Sequence, residues 1–237
     1  MKASEKKEQG YCSLAVGAFI VVLIVEWLWP DVIPFTMFQF WKLNGNLVDI
    51  VKMSWPVFAW GTGVSFLILV LKGVDYEERE NAEKNFVVGF LTSLWAGVFE
   101  EISFRWLIFM DEIIGYKIVN WLFFGWAGFG MFEWIFLHIS GPIANFFTLG
   151  YLSPILFNGF GWAVGSAILS SNGKFRDGHA YQGLLGFINS WFIGMFMFYL
   201  MFTYGLIASI VVHFLYDLFI DIVRYLIAIS ARGLSRL

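Results

Sequence analysis

Long apolar runs separated by short polar segments follow one another along most of this chain. Each run holds about 18 or more mostly apolar residues, enough for a helix to cross a hydrocarbon core about 30 Å thick. Lipid forces backbone polar groups to be satisfied within such a segment, so each run is predicted to be helical. The predicted spans are 11–29, 54–71, 86–110, 118–139, 142–169, 183–203 and 205–229.

The count of spans depends on the fifth run. It contains Pro154 and several glycines, so it is either one kinked helix or two short ones. The pattern therefore predicts an all-α, polytopic bundle of seven or eight transmembrane helices. Basic residues near the N-terminus, in the charged loop 72–84 and near the C-terminus all favour the cytoplasmic side, which requires an even number and favours eight.

Composition agrees with a membrane protein. Of the 237 residues, 59% are hydrophobic and only 14% are charged, which is atypical of a soluble globular domain. We expect one integral membrane domain over 1–237, in a multi-pass protein of the plasma membrane. The net charge of −3 comes without a basic patch, which argues against a nucleic-acid partner. Function is therefore expected inside the membrane, among lipids, or at its surface.

Three charged residues interrupt the third span, in the stretch VFEEISFRWLIFM. A charge at the bilayer centre costs about 2.5–3.5 kcal/mol on insertion scales, so these residues need partners or a function. Glu101 and Arg105 are four positions apart, which places them on one helix face as an ion pair. Glu100 points about 100° round the helix and lacks that partner. This spacing predicts a structural pair beside a glutamate that is free for chemistry.

The last span carries a polar stripe in HFLYDLFIDIVR. His213 and Asp217 are one turn apart, so the carboxylate is expected to orient the imidazole. Asp221 and Arg224 are predicted to form a structural ion pair near the membrane edge. A stripe of this kind must face the protein interior or a water-filled cavity.

The two other histidines, His138 and His179, also lie in or beside apolar spans. His138 is near the end of the fourth span, and His179 comes just before the sixth. We expect one of them to face the same site as His213.

Three motifs in this order resemble the CAAX-protease and bacteriocin-processing (Abi) family of intramembrane proteases. They are EEISFR with Glu100, Glu101 and Arg105, FRDGH with Phe175 and His179, and HFLYD with His213 and Asp217. The resemblance covers about residues 86–220, the protease-like core. In the CAAX-processing members of the family the third motif is His-x-x-x-Asn, so Asp217 occupies the position of their asparagine. His138, about where some members carry their second-motif histidine, remains the alternative to His179.

The resemblance implies an endopeptidase acting on a membrane-associated peptide or protein. In that reaction Glu100 would be the general base and His179 would share or position the water. His213, held by Asp217, would bind the oxyanion or protonate the leaving amine. The same atoms, Glu100, His179 and His213, would also suit a catalytic zinc ion with an open position for water.

Two other functions use the same residues. Intramembrane acids, histidines and arginines also form the proton relays of coupled transporters, although the sequence shows no internal repeat. A protein of this fold could instead act without catalysis, binding a partner as an immunity or scaffolding protein.

Overall fold

The computed structural model describes residues 3–73 and 80–234, and within them it is all-α, with no strand. We number its main helices in chain order. They are α1 (Ala3–Leu28), α2 (Leu47–Met53), α3 (Trp55–Lys72), α4 (Ala82–Leu122), α5 (131–147), α6 (Trp162–Gly178), α7 (Gly183–Tyr204) and α8 (Leu206–Leu234). Shorter helical turns cover Gly125–Ala127, Pro154–Gly159 and Ala180–Gln182. Residues 74 to 79 of the charged loop 72–84 lie outside the described residues.

The number of spans predicted from the sequence is wrong for the described part of the chain. Three helices there, α4, α7 and α8, are long and apolar enough to cross a membrane. A fourth arises if α2 and α3, bent by 46° at their junction, count as one broken span. Seven or eight spans are not supported, but apolar helices of this length are typical of a membrane protein.

The predicted first span, 11–29, corresponds to the shorter apolar helix Ser13–Leu28. Two other predicted spans are interrupted by turns that the hydropathy pattern does not show. The predicted span 118–139 is interrupted after α4, where Phe124 and Gly128 adopt left-handed backbone conformations with φ of 60° and 87°. The predicted span 142–169 is broken after α5 by left-handed Leu149 and Gly150, and then by the π-helical turn Pro154–Gly159. Apolar side chains continue through these turns, so the sequence pattern alone merges separate short helices.

The helix α4 is longer than predicted and changes its winding at the charged residues. It continues 12 residues past position 110, and Glu101–Ile108 is wound as a π-helix. Single π-helical turns inside α-helices are often found at functional sites. All but one of these eight residues are buried, so the charged part of α4 lies in the interior.

Helices α4 and α8 pack antiparallel, and their contact brings the polar motifs together. Glu83 pairs with Arg232 at one end, Ser93 bonds to Asp221 further along, and Glu101 reaches α8 beyond them. Gly97 permits the close approach, since a Cβ there would lie 2.9 Å from the backbone nitrogen of Phe214.

Helices α7 and α8 form a hairpin that closes this side of the fold. Gly205 makes the turn with φ of 97°, where a Cβ would lie 2.0 Å from the carbonyl oxygen of Lys42. The segment before α2 is tied to the hairpin by the amide of Leu206, which donates to the carbonyl of Phe40 at 2.7 Å.

Candidate active site

A cavity of about 610 Å³ lies between α3, α4, α7 and α8. Residues of the turn Ala180–Gln182 also line it. Four residues singled out from the sequence line it: Glu100, His179, His213 and Asp217. Small residues on α3 and α4 also line it, including Gly61, Gly89 and Ser93. The fold therefore brings together motif residues from three separate stretches of the chain.

Both cavity histidines point their Nε2 atoms at Glu100. The Nε2 of His179 lies 3.7 Å from Oε1 of Glu100, and the Nε2 of His213 lies 3.8 Å from Oε2. Glu100 and His179 are about one-fifth exposed, whereas His213 is almost fully buried. One carboxylate thus faces two imidazoles across gaps slightly longer than a direct hydrogen bond.

The far side of each imidazole is held by an oxygen acceptor. The Nδ1 of His179 lies 2.8 Å from the carbonyl oxygen of Phe175, one turn earlier in α6. Only an Nδ1–H can donate to a carbonyl, so a neutral His179 presents its Nε2 lone pair to the cavity. The Nδ1 of His213 lies 2.8 Å from Oε1 of Glu101, which favours the same tautomer there.

Asp217 contacts His213 as expected, but it is not the closest carboxylate. Glu101 makes the 2.8 Å contact to Nδ1, whereas Oδ2 of Asp217 is 3.5 Å from Nε2 on the cavity side. The sequence analysis considered only Asp217, which lies one turn from His213 on α8. The packing of α4 against α8 supplies a closer and fully buried carboxylate instead.

Glu101 and Arg105 form the predicted ion pair, with 3.4 Å between Nη1 and Oε1 and both side chains fully buried. Glu101 has a third neighbour that the sequence analysis missed, because the hydroxyl of Ser209 donates to its Oε2. Ser209 lies one turn before His213 on α8, so the Ser-x-x-x-His spacing was the available signal. Glu101 thus joins the buried arginine to the site histidine.

His138 lies away from this cavity. It is exposed on α5, its Nδ1 contacts the carbonyl oxygen of Trp134 at 2.9 Å, and its ring stacks on that indole. Of the two candidates for the second motif, His179 is the one that the structure places beside Glu100.

The predicted pair of Asp221 and Arg224 is also wrong. Asp221 accepts a hydrogen bond of 2.9 Å from the hydroxyl of Ser93, and no ion pair joins it to Arg224 in the described residues. Both side chains line the cavity. The carboxylate of Asp221 therefore bonds to a residue of α4, whereas the sequence analysis paired it with a residue of α8.

The zinc alternative depends on ligand geometry. Within residues 3–73 and 80–234, no group of three or more histidine, cysteine, aspartate or glutamate side chains is arranged to hold a metal ion. Glu100, His179 and His213 approach one another as one carboxylate that faces two imidazoles at 3.7 and 3.8 Å.

No family model, no curated protein and no solved structure matches this chain.

Proposed function

We propose that this protein is a multi-pass intramembrane endopeptidase of the cell membrane that hydrolyses a peptide bond in a membrane-associated peptide or protein. One observation carries the proposal: two imidazoles with anchored Nδ1 atoms present Nε2 to one partly exposed carboxylate inside a polar cavity. The resemblance to the CAAX-protease and bacteriocin-processing family supports the same reaction. The partners implied are lipid and a peptide segment, with no nucleic acid.

The reaction begins with a water on the cavity side of Glu100 and His179 that hydrogen-bonds to both side chains. Their polar atoms are 3.7 Å apart, which lets one water beside them contact both. Glu100 accepts a proton as the water oxygen attacks the carbonyl carbon of the scissile bond. His179 orients the water through the lone pair on Nε2.

The tetrahedral intermediate carries an oxyanion that needs a donor. His213 supplies one when it is protonated on both nitrogens, because buried Glu101 holds Nδ1–H and stabilises the imidazolium. The carbon–nitrogen bond then breaks, and the proton taken up by Glu100 passes to the leaving nitrogen. The products are one carboxylic acid and one amine, and Glu100 returns to its starting form.

Glu100→Gln tests this function directly. Glutamine keeps the size of the side chain but cannot accept a proton from water, so cleavage should fall by at least about 100-fold, the usual contribution of general base catalysis. The assay uses purified protein in proteoliposomes with a library of acylated, internally quenched peptides. Cleavage sites are read by mass spectrometry, and folding is checked by gel filtration and thermal unfolding.

A matched pair of histidine variants is the control. His179→Gln should abolish cleavage, whereas His138→Gln should leave it near the wild-type rate, since His138 lies outside the cavity. Activity that is lost with a tight chelator and restored by zinc would replace the proposed base with a metal site. A wild-type protein that cleaves no library peptide, or a fully active Glu100→Gln, would contradict the proposal and favour the partner-binding alternative.

A further inference from the structure

The ring of Phe175 lies between the buried cation and both site histidines. Its side chain is 2% exposed, and the guanidinium carbon of Arg105 lies 3.9 Å from the ring centroid. The ring of His179 is 4.6 Å away, and that of His213 is 6.2 Å away in an edge-on arrangement. No other aromatic ring of the described residues has all three of these neighbours.

Arg105 depends on that ring because its other contacts are few. Glu101 is 3.4 Å away, longer than the roughly 2.8 Å of a charge-assisted hydrogen bond. None of the three guanidinium nitrogens of Arg105 has a hydrogen-bond partner, although all are buried. A guanidinium over an aromatic face is attracted by the negative ring quadrupole, most strongly where water is excluded. The ring of Phe175 is therefore a main support of this charge.

Phe175 also determines where His179 lies. Its carbonyl oxygen accepts the Nδ1–H of His179 at 2.8 Å, and its ring packs against the same imidazole. His179 is the C-terminal cap of α6, between that helix and the turn Ala180–Gln182. A shift of Phe175 is thus transmitted to His179, whose Nε2 faces Glu100 at 3.7 Å.

We propose that Phe175 is a positioning residue whose ring, held by the Arg105 cation, keeps His179 aimed at Glu100. The inference rests on the peptidase function proposed above. Leucine would fill much of the same volume but would lack the quadrupole, so the aromatic character is what matters. Arg105 then supports both imidazoles, one through Glu101 and the other through Phe175.

A fluorination series at Phe175 separates ring electrostatics from packing. Mono-, di- and trifluorophenylalanine, installed by amber suppression, nearly preserve the shape of the ring while weakening its negative face in steps. We expect log kcat to fall linearly along the series, to about 10- to 30-fold below wild type for the trifluoro ring, as follows from a desolvated cation–π contact. KM should change little, because the ring is only 2% exposed and offers a substrate almost no surface.

Phe109 is the matched control, since it is fully buried on α4, packs against other rings and has no cation from residues 3–73 or 80–234 over its face. The same series there should leave kcat within about twofold of wild type. Equal losses at Phe109 and Phe175 would show a packing effect and overturn the proposal. Wild-type kcat for the trifluoro ring at Phe175 would overturn it as well.

A second readout does not require catalysis. Nitrogen NMR of 15N-histidine protein in nanodiscs, with His179 assigned by its absence in His179→Gln, reports the tautomer and environment of that ring. The His179 signals should shift progressively along the Phe175 series and stay unchanged along the Phe109 series. If the wild-type protein cleaves no peptide but these shifts occur, the peptidase function fails and the positioning role stands; unchanged signals overturn the positioning role.

Discussion

Replacing Arg105 by methionine should destabilise the protein by leaving Glu101 buried without its cation. Methionine has a similar length and no charge, so the substitution removes the ion pair without opening a large cavity. Glu101 is fully buried, and its remaining neighbours are Ser209 and His213.

The expected loss follows from the geometry of the pair. Unit charges 3.4 Å apart attract by about 5 kcal/mol at an effective dielectric constant near 20. Breaking one side of a buried pair costs about 3–5 kcal/mol in measured cases. Because Ser209 and His213 still contact Glu101, we expect a loss near the lower end, about 3 kcal/mol in the free energy of unfolding.

The assay is reversible unfolding in mixed micelles of mild detergent and dodecyl sulfate, followed by the fluorescence of the 12 tryptophans. The decisive comparison adds Glu101→Gln to Arg105→Met. Neutralising both partners removes the unpaired charge, so the double variant should recover at least about half of the lost free energy.

Two results would refute this reasoning. Arg105→Met within about 0.5 kcal/mol of wild type would mean that the pair does not stabilise the fold. A double variant as unstable as Arg105→Met alone would mean that the loss comes from packing around the guanidinium, including its contact with Phe175, and not from the charge of Glu101.

Two further predictions concern the contact between α4 and α8. Gly97→Ala should lower the free energy of unfolding by about 1–3 kcal/mol, because the backbone of Phe214 leaves no room for a Cβ. Gly115→Ala on the same helix has open space and should be neutral or slightly stabilising, so similar melting temperatures for the two variants would contradict the close approach. Ser209→Ala should cost about 1–2 kcal/mol through the hydrogen bond lost by Glu101. Ser230→Ala, whose hydroxyl bonds only within α8, should stay within about 0.5 kcal/mol of wild type, and equal losses for the two serines would argue against a role of Ser209 at Glu101.

Two helices could be predicted from the sequence nearly to the residue, since the spans 54–71 and 183–203 correspond to Trp55–Lys72 and Gly183–Tyr204. The span 205–229 begins within one residue of Leu206–Leu234 but ends five residues early. Their ends coincide with local signals, such as the turn at Gly205, and helical hydrogen bonds form within the segment itself. The position and length of such a helix can therefore be predicted from its own short stretch of sequence.

The breaks between helices were not predictable in the same way. Hydropathy continues unchanged through left-handed Phe124 and Leu149, residue types that rarely adopt positive φ unless the surrounding structure requires it. The π-helical winding of Glu101–Ile108 likewise leaves no mark in the apolar pattern. These features depend on how neighbouring helices pack, so the number of spans came out too high.

The sequence by itself singled out Glu100, His213 and Asp217 and left His138 and His179 as alternatives, because charges and histidines are rare in apolar helices and stand out from them. It also predicted the pair of Glu101 and Arg105, since partners four residues apart share a helix face. Only the tertiary structure decided that the carboxylate closest to His213 is Glu101, 112 positions away, and that Asp217 on its own helix is more distant. Which carboxylate is closest depends on the rotation and spacing of α8 against α4. These depend on the close contact at Gly97, on the π-helical turn and on the packing of many side chains along the two helices.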